Sequence, residues 1–276
     1  MKDVIRLGVP KPRLAQWLAP AGAPEGRRVT RDGADVLAVP GRYSVTYILV
    51  APDSLGIVDA GSHADVPRIL EAIAWLGRSP GDVRWVMPSH LHFDHLMGLD
   101  ALARRVGAPI ALGAIAHATV TEGRAPRFPA WPYLLRAVPT WPLQGLPFPP
   151  WEDWREGLDF GFPWGRNRFR APVLPPLAHG SALAGFPGWR LWDGPGHADD
   201  AILLHHAEAG FLVCGDTIRN FFGGEWNPLV CDRNDERRTR ALIRSLHVTV
   251  IFPGHGPILE GPGVVARLRR LPPWMP

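Results

Sequence analysis

The sequence predicts a single α/β domain organised around a buried sheet core. Short apolar runs recur along the chain, each bounded by glycine or proline, which is the pattern of buried strands. Between them lie amphipathic stretches that close on glycine or carry apolar residues at helical spacing. A chain of 276 residues with 46% apolar and 20% charged side chains can bury such a core, and no linker-like segment divides it.

In order, the first 30 residues are broken by Pro10, Pro12, Pro20 and Pro24 and are expected to wrap the surface. Asp35 to Pro40 and Tyr43 to Val50 read as paired strands around a Pro40-Gly41-Arg42 turn. Leu55 to Gly61 is another strand, ending on Asp59, Ala60 and Gly61. Asp65 to Gly77 carries Val66, Ile69, Leu70, Ile73, Ala74 and Leu76 as a helical stripe. Val83 to Met87 is a short buried strand, Gly98 to Val106 a helix, Pro109 to Leu112 a strand and Ala114 to Val120 a helix. The second half rebuilds the sheet with Pro172 to Leu177, Trp189 to Trp192, Ala201 to His206, Phe211 to Cys214 and Val248 to Phe252. Asp235 to Leu246 is an amphipathic helix, and Gly263 to Leu271 reads as a short final one.

Residues 124–170 separate the halves and differ from both. Nine prolines forbid a long helix or central strand, while five tryptophans and five phenylalanines are far more than a disordered linker holds. The segment reads as a folded insertion whose rings bury against the scaffold or a partner chain. It is expected to form a lid or one wall of a substrate pocket, a homodimer contact, or both.

Composition removes several classes of function. Basic residues exceed acidic ones by four, but Lys2 and Lys11 are the only lysines, and no basic run of five appears. Scattered arginines of this kind give no reason to expect a nucleic-acid partner. Cys214 and Cys231 make no disulfide framework, and Cys214 reads as a packing residue. Met1 to Gly26 lacks the apolar core of a signal peptide, and no stretch approaches the roughly 20 apolar residues of a membrane span. The expectation is a cytoplasmic protein with no membrane partner.

The chemistry concentrates after Val83 to Met87, in Pro88-Ser89-His90-Leu91-His92-Phe93-Asp94-His95. Residues two apart beyond a strand end point the same way, so His90 and His92 can converge, and Asp94 and His95 can face a second point nearby. Three later corners carry the same residue types: Gly196-His197, Gly215-Asp216 and Gly254-His255, each after an apolar run. Imidazole and carboxylate suit divalent metals. Seven candidate ligands fill two sites: His90, His92 and His197 on one ion, Asp94, His95 and His255 on the other, with Asp216 bridging. Such donors take zinc, iron, manganese or cobalt. The remaining histidines (His63, His117, His179, His205, His206, His247) read as packed, solvated or unassigned. Asp199 and Asp200 either orient His197 or cap a turn, and the turn is the preferred reading.

The order HxHxDH, Gly-His, Gly-Asp, Gly-His resembles the metallo-β-lactamase superfamily, from about Val36 to the end of the chain. The resemblance implies an αββα sandwich, two mixed sheets flanked by helices, with two divalent ions, zinc foremost. It also implies that Asp59 supports the ligands from behind, because a carboxylate accepting the free N–H of a ligating histidine fixes its tautomer; otherwise Asp59 is an ordinary turn residue. Two close ions lower the pKa of a shared water from 15.7 towards about 7 and so provide hydroxide at neutral pH. Asp216 bridges the ions, and Asp94 both ligates and orients the nucleophile, so hydrolysis needs no serine or cysteine.

The resemblance leaves the substrate open. Asp216 departs from true β-lactamases, which lack that aspartate, and the 19-residue step from His197 to Asp216 is similar to compact lactonase-like hydrolases. Such lactonases place a tyrosine soon after the bridging aspartate, where this chain reads Thr217-Ile218-Arg219-Asn220. Arg219 or Asn220 replaces it, or Tyr133 reaches in from the insertion, or the substrate is not such a lactone. The expected substrate is a small ester, lactone or thioester with an apolar portion. Phosphodiester hydrolysis, iron-dependent sulfur oxidation and a non-catalytic binding role are the alternatives.

Overall fold

The computed structural model describes residues 4–6, 25–129, 153 and 158–271. Two sheets lie back to back, and strand alternation shows why. The first has the order β1-β2-β3-β4-β5-β6: Val4–Arg6, Glu25–Arg31, Ala34–Pro40, Val45–Val50, Leu55–Val58 and Val83–Met87. The second orders β13 (Leu259–Glu260), β12 (Val250–Pro253), β9 (Phe211–Gly215), β8 (Ile202–His206) and β7 (Trp189–Asp193). A small third sheet joins β10 (Ile218–Arg219), β11 (Glu225–Trp226) and β14 (Arg269–Arg270).

Successive residues of a strand face opposite ways, so strands buried on both faces are apolar throughout. Val36, Ala38, Tyr47, Leu49 and Met87 of the first sheet meet Leu191, Leu204, Phe211, Val213 and Phe252 of the second in the central core. Their neighbours Leu37, Val39, Ile48 and Ile57 face outward onto α1 (Val66–Trp75) and α3 (Leu99–Val106), against Ile69, Ile73, Leu102 and Val106. On the far side Leu203, Leu212, Cys214 and Ile251 pack under Ile243 of α5 (Arg233–Ser245). Helix, sheet, sheet and helix therefore enclose three apolar layers. Phe211 alone, fully buried between the sheets, contributes about 1.5–3 kcal/mol. Two further α-helices among the described residues are the one-turn α2 (Phe93–Leu96) and the eight-residue α4 (Ala114–Thr121). Among the described residues no helix is long and apolar enough to cross a membrane.

The structure corrects four expectations. Of the N-terminal stretch expected to wrap the surface, the described residues supply β1, the edge strand of the first sheet, and the start of β2 beside it; residues 7–24 lie outside the described residues. Pro109 to Leu112 and Pro172 to Leu177 form only isolated bridges, Val86 to Ile110, Ile110 to Val173 and Gly113 to Leu177. Prolines at 109, 172, 175 and 176 remove the donors a continuous ladder needs, and the second segment extends the first sheet, not the second. Gly263 to Leu271 makes turns that lead into β14, held by parallel pairing with β11 instead of by helix bonds. Only part of the insertion, residues 124–129, 153 and 158–170, lies within the described chain.

Two parallel pairings place the functional loops. β5 and β6 run parallel with Val58 opposite Met87, and β9 and β12 run parallel with Pro253 opposite Gly215. Parallel neighbours finish at one level, so the residues after all four strands gather at the carboxyl edge of the sandwich.

Candidate metal centre

All seven predicted ligands meet at that edge, in two groups. His90, His92 and His197 form one; Asp94, His95, Asp216 and His255 form the other. Within each group the nearest donor atoms all lie within 4.8 Å of one another. The two carboxylate oxygens of Asp216 face different groups: Oδ1 is 3.2 Å from both His95 Nε2 and His255 Nε2, and Oδ2 is 3.6 Å from His197 Nε2. Asp94 Oδ2 is 3.2 Å from His255 Nε2.

The scaffold chooses which nitrogen each imidazole presents. Asp59 Oδ2 lies 2.9 Å from His95 Nδ1, which leaves His95 Nε2 free on the other side. Asp59 Oδ1 accepts the Ser89 N–H at 2.6 Å, so one carboxylate fixes both a ring and the loop that carries it. Asp59 adopts φ +63°, a left-handed conformation that aspartate tolerates better than most residues. His197 Nδ1 lies 2.6 Å from the Leu229 carbonyl, which can only accept, so its Nε2 faces the group. His92 is turned the other way. Its Nε2 is 3.0 Å from the Arg127 carbonyl, and its Nδ1 points at His197 Nε2, 3.0 Å away. Ser89 Oγ holds His90 Nδ1 at 3.1 Å.

These donors fit a cation. His90 Nε2 is buried with no hydrogen-bond partner, which ordinarily costs about 1–3 kcal/mol, His95 Nε2 and Asp216 Oδ1 have at best the 3.2 Å contacts within their own group, and all three face their groups. Burial, then the neighbouring imidazoles, holds His90 well below the usual histidine range and His92 down at about 3, so the first group presents neutral lone pairs. In the second group burial opposes charge but loses. Asp59, Asp94 and Asp216 hold His95 well above the usual range, and Asp216 with Asp94 raises His255 to about 9. The same contacts outweigh burial to lower Asp94 to about 2 and Asp216 well below its ordinary value.

Glycine makes this closeness feasible. A Cβ on Gly254 would sit 2.5 Å from Asp216 Oδ1 and 2.8 Å from His95 Cε1. Two aromatic rings flank the groups. Phe128 stacks on His92 with centroids 4.4 Å apart, and Phe221 lies 5.7 Å from His255.

Other predicted residues fall as follows. The Asn220 amide donates to the Pro257 carbonyl at 2.8 Å and so braces the loop after His255 instead of presenting itself to a substrate. Arg219 is buried beside Glu225, 3.9 Å away, with its guanidinium carbon 5.2 Å from the Phe221 ring centroid. Tyr133 lies outside the described residues; Tyr43 and Tyr47 donate to Asp153 and the Pro253 carbonyl and serve the scaffold. Asp200, read as a turn residue, instead accepts the Leu91 N–H at 2.8 Å between the two leading histidines. Its Asp-Asp context gave no sign of that role. Phe128 and Phe221 were also missed, since nothing local separates them from packing aromatics.

An αββα sandwich with paired His/Asp groups at its carboxyl edge defines a class of metal-binding α/β proteins. The model of the metallo-beta-lactamase superfamily matches residues 39–255, and the chain belongs to that superfamily. Among curated proteins it is 25% identical over 249 residues to the probable metallo-hydrolase YqjP of Bacillus subtilis, covering 83% of this chain and 73% of that one. It is 26% identical over 251 residues to metallo-beta-lactamase domain-containing protein 1 of Rattus norvegicus, covering 84% and 79%. Solved structures share the fold: a metallo-beta-lactamase family protein of Thermus thermophilus has a TM-score of 0.56 at 24% identity, covering 85% and 76% of the chains. A Cronobacter sakazakii enzyme has a TM-score of 0.52 at 22% identity, covering 80% and 75%.

Proposed function

We propose that the protein is a metallo-hydrolase that holds two divalent ions, zinc foremost, and cleaves an ester, lactone or thioester in a small molecule with an apolar portion. The observation that carries this is Asp216, whose two oxygens face the two donor groups separately. When bound, such ions supply a nucleophile from water at neutral pH and polarise the bond under attack.

The chain's own residues do the rest. His90, His92 and His197 offer neutral nitrogens to one ion; Asp94, His95 and His255 serve the other, with Asp216 between. The Asp94 side chain, 20% exposed, is the most open of the seven; its Oδ2 faces His255 and would serve the second ion, and the carboxylate would also orient the attacking water. Asp59 keeps His95 in the tautomer that points Nε2 inward. Phe128 and Phe221 supply apolar walls on either side, which supports a substrate with an apolar part. The relative in Bacillus subtilis described as a probable metallo-hydrolase supports the same class of reaction.

The test is elemental analysis of the purified protein with assays on a lactone, a thioester, an aryl ester and bis(p-nitrophenyl) phosphate, with Asp216→Ala as control. Two ions per chain and carbonyl hydrolysis lost in Asp216→Ala are expected. One iron per chain with oxygen uptake and no hydrolysis would overturn the reading.

A further inference from the structure

The turn of His92 is set from outside its own loop, by the first residues of the insertion. The Arg127 carbonyl can only accept, so at 3.0 Å it requires the His92 proton on Nε2 and leaves Nδ1 as the lone pair facing His197. A carbonyl in an exposed segment has no reason to stay there unless the segment is fastened. The Arg127 side chain fastens it. The guanidinium donates to the Cys231 carbonyl and lies 3.5 Å from Asp199 Oδ2, two residues beyond His197. Cys231 in turn donates its N–H to the Gly196 carbonyl at 2.7 Å, next to His197. The contacts close a ring: His92, Arg127, Cys231, Gly196, His197, and back to His92. Phe128 presses on the His92 ring from the same turn.

We propose that Arg127 is a positioning residue for the first metal group. Its carbonyl selects the His92 tautomer, and its guanidinium holds that carbonyl against the loop that carries His197. The insertion is then a working part of the centre. The proposal rests on the two-ion reading above, but its tautomer arm is read on metal-free protein, so it reports on the clamp even where the hydrolysis assays fail.

The experiment compares wild type with Arg127→Ala, Arg127→Lys and, as a control elsewhere on the insertion, Arg124→Ala, whose partner Glu122 is an exposed surface residue. Imidazole nitrogen–proton correlation spectra of metal-free protein should show His92 protonated on Nε2 in wild type and partly on Nδ1 in Arg127→Ala. Zinc titration should show one of the two ions bound roughly 10–100-fold more weakly, the usual cost of losing support behind a ligating histidine. Arg127→Lys, with a single donor in place of a fork, should fall between, and Arg124→Ala should match wild type. Asp199→Asn removes the charge from one anchor at a half-exposed position and should shift both readouts in the same direction. Wild-type tautomer and zinc affinity in Arg127→Ala would overturn the proposal. If Arg127→Ala proves too unstable to purify, unchanged readouts in Asp199→Asn would do so.

Discussion

Gly254→Ala tests the centre with one methyl group. The added Cβ would lie 2.5 Å from Asp216 Oδ1, 2.8 Å from His95 Cε1 and 3.0 Å from the Gly215 carbonyl carbon, where ordinary contact begins at 3.4 Å. Asp216 must therefore retreat by about 0.9 Å, against a tolerance of about 0.2 Å in a ligand–metal distance. The Gly254 backbone is not in the left-handed region, so the change strains the site and not the chain's dihedral angles. Overpacking of this kind costs about 1–3 kcal/mol, which a domain of this size should survive folded. We expect one ion per chain in place of the two proposed for wild type, with hydrolysis reduced roughly 10–100-fold or more. The assays are elemental analysis, ester hydrolysis and a circular-dichroism melt. Gly81→Ala is the control, because its Cβ would meet nothing nearer than Ser79 Oγ at 3.7 Å. A folded Gly254→Ala with two ions and wild-type rates would refute the assignment of Asp216 and His95 to one centre.

Asp59→Asn should weaken the ion held by His95 roughly 10–100-fold, visible in a zinc competition titration, because a neutral amide supports the imidazole less strongly than a carboxylate. In metal-free protein His255 is raised to about 9, so its protonation favours the fold fully below about pH 6.5, the unfolded value, and the benefit fades as pH rises through 9. The same proton must leave when a metal enters, so calorimetry at pH 7 in buffers of different ionisation enthalpy should register proton release on loading. Burial raises Asp200 to about 6, so the folded state keeps a proton that the unfolded chain releases near 4, and stability falls as pH climbs through that window. Asp200→Asn keeps an acceptor for Leu91 and should melt higher than wild type at pH 7; a lower melting temperature would show that the negative charge is needed there.

The gathering of the seven candidate ligands was legible because their signal is local. His90 and His92 stand two apart after a buried strand, and each later ligand sits beside glycine at a strand end, a pattern short enough to read without the fold. Strand positions were legible for the same reason, since Val83 to Met87 or Phe211 to Cys214 are apolar on both faces. What escaped notice depends on distant partners. Val264, Val265 and Leu268 have helical spacing, yet β14 forms because β11 offers it an edge. Asp200 gained its role from Leu91, 109 residues away in sequence, and Arg127 from Cys231, 104 away. Prolines in the insertion announced an irregular segment, but not where it would dock: a Cβ on Gly161 would lie 2.3 Å from the Phe93 N, so that turn seats directly on the histidine loop.

Each donor group draws from both halves of the chain. His90 and His92 follow the first sheet and His197 the second; Asp94 and His95 follow the first, Asp216 and His255 the second. An ion in either group would therefore cross-link the two sheets, much as a disulfide joins distant segments, but reversibly and at the mercy of supply. Separating the halves would require giving up both ions, so loaded protein should open slowly and starved protein quickly. In a cell short of metal, the first sign of depletion would then be a falling amount of the protein, ahead of any change in the activity of the molecules that remain loaded.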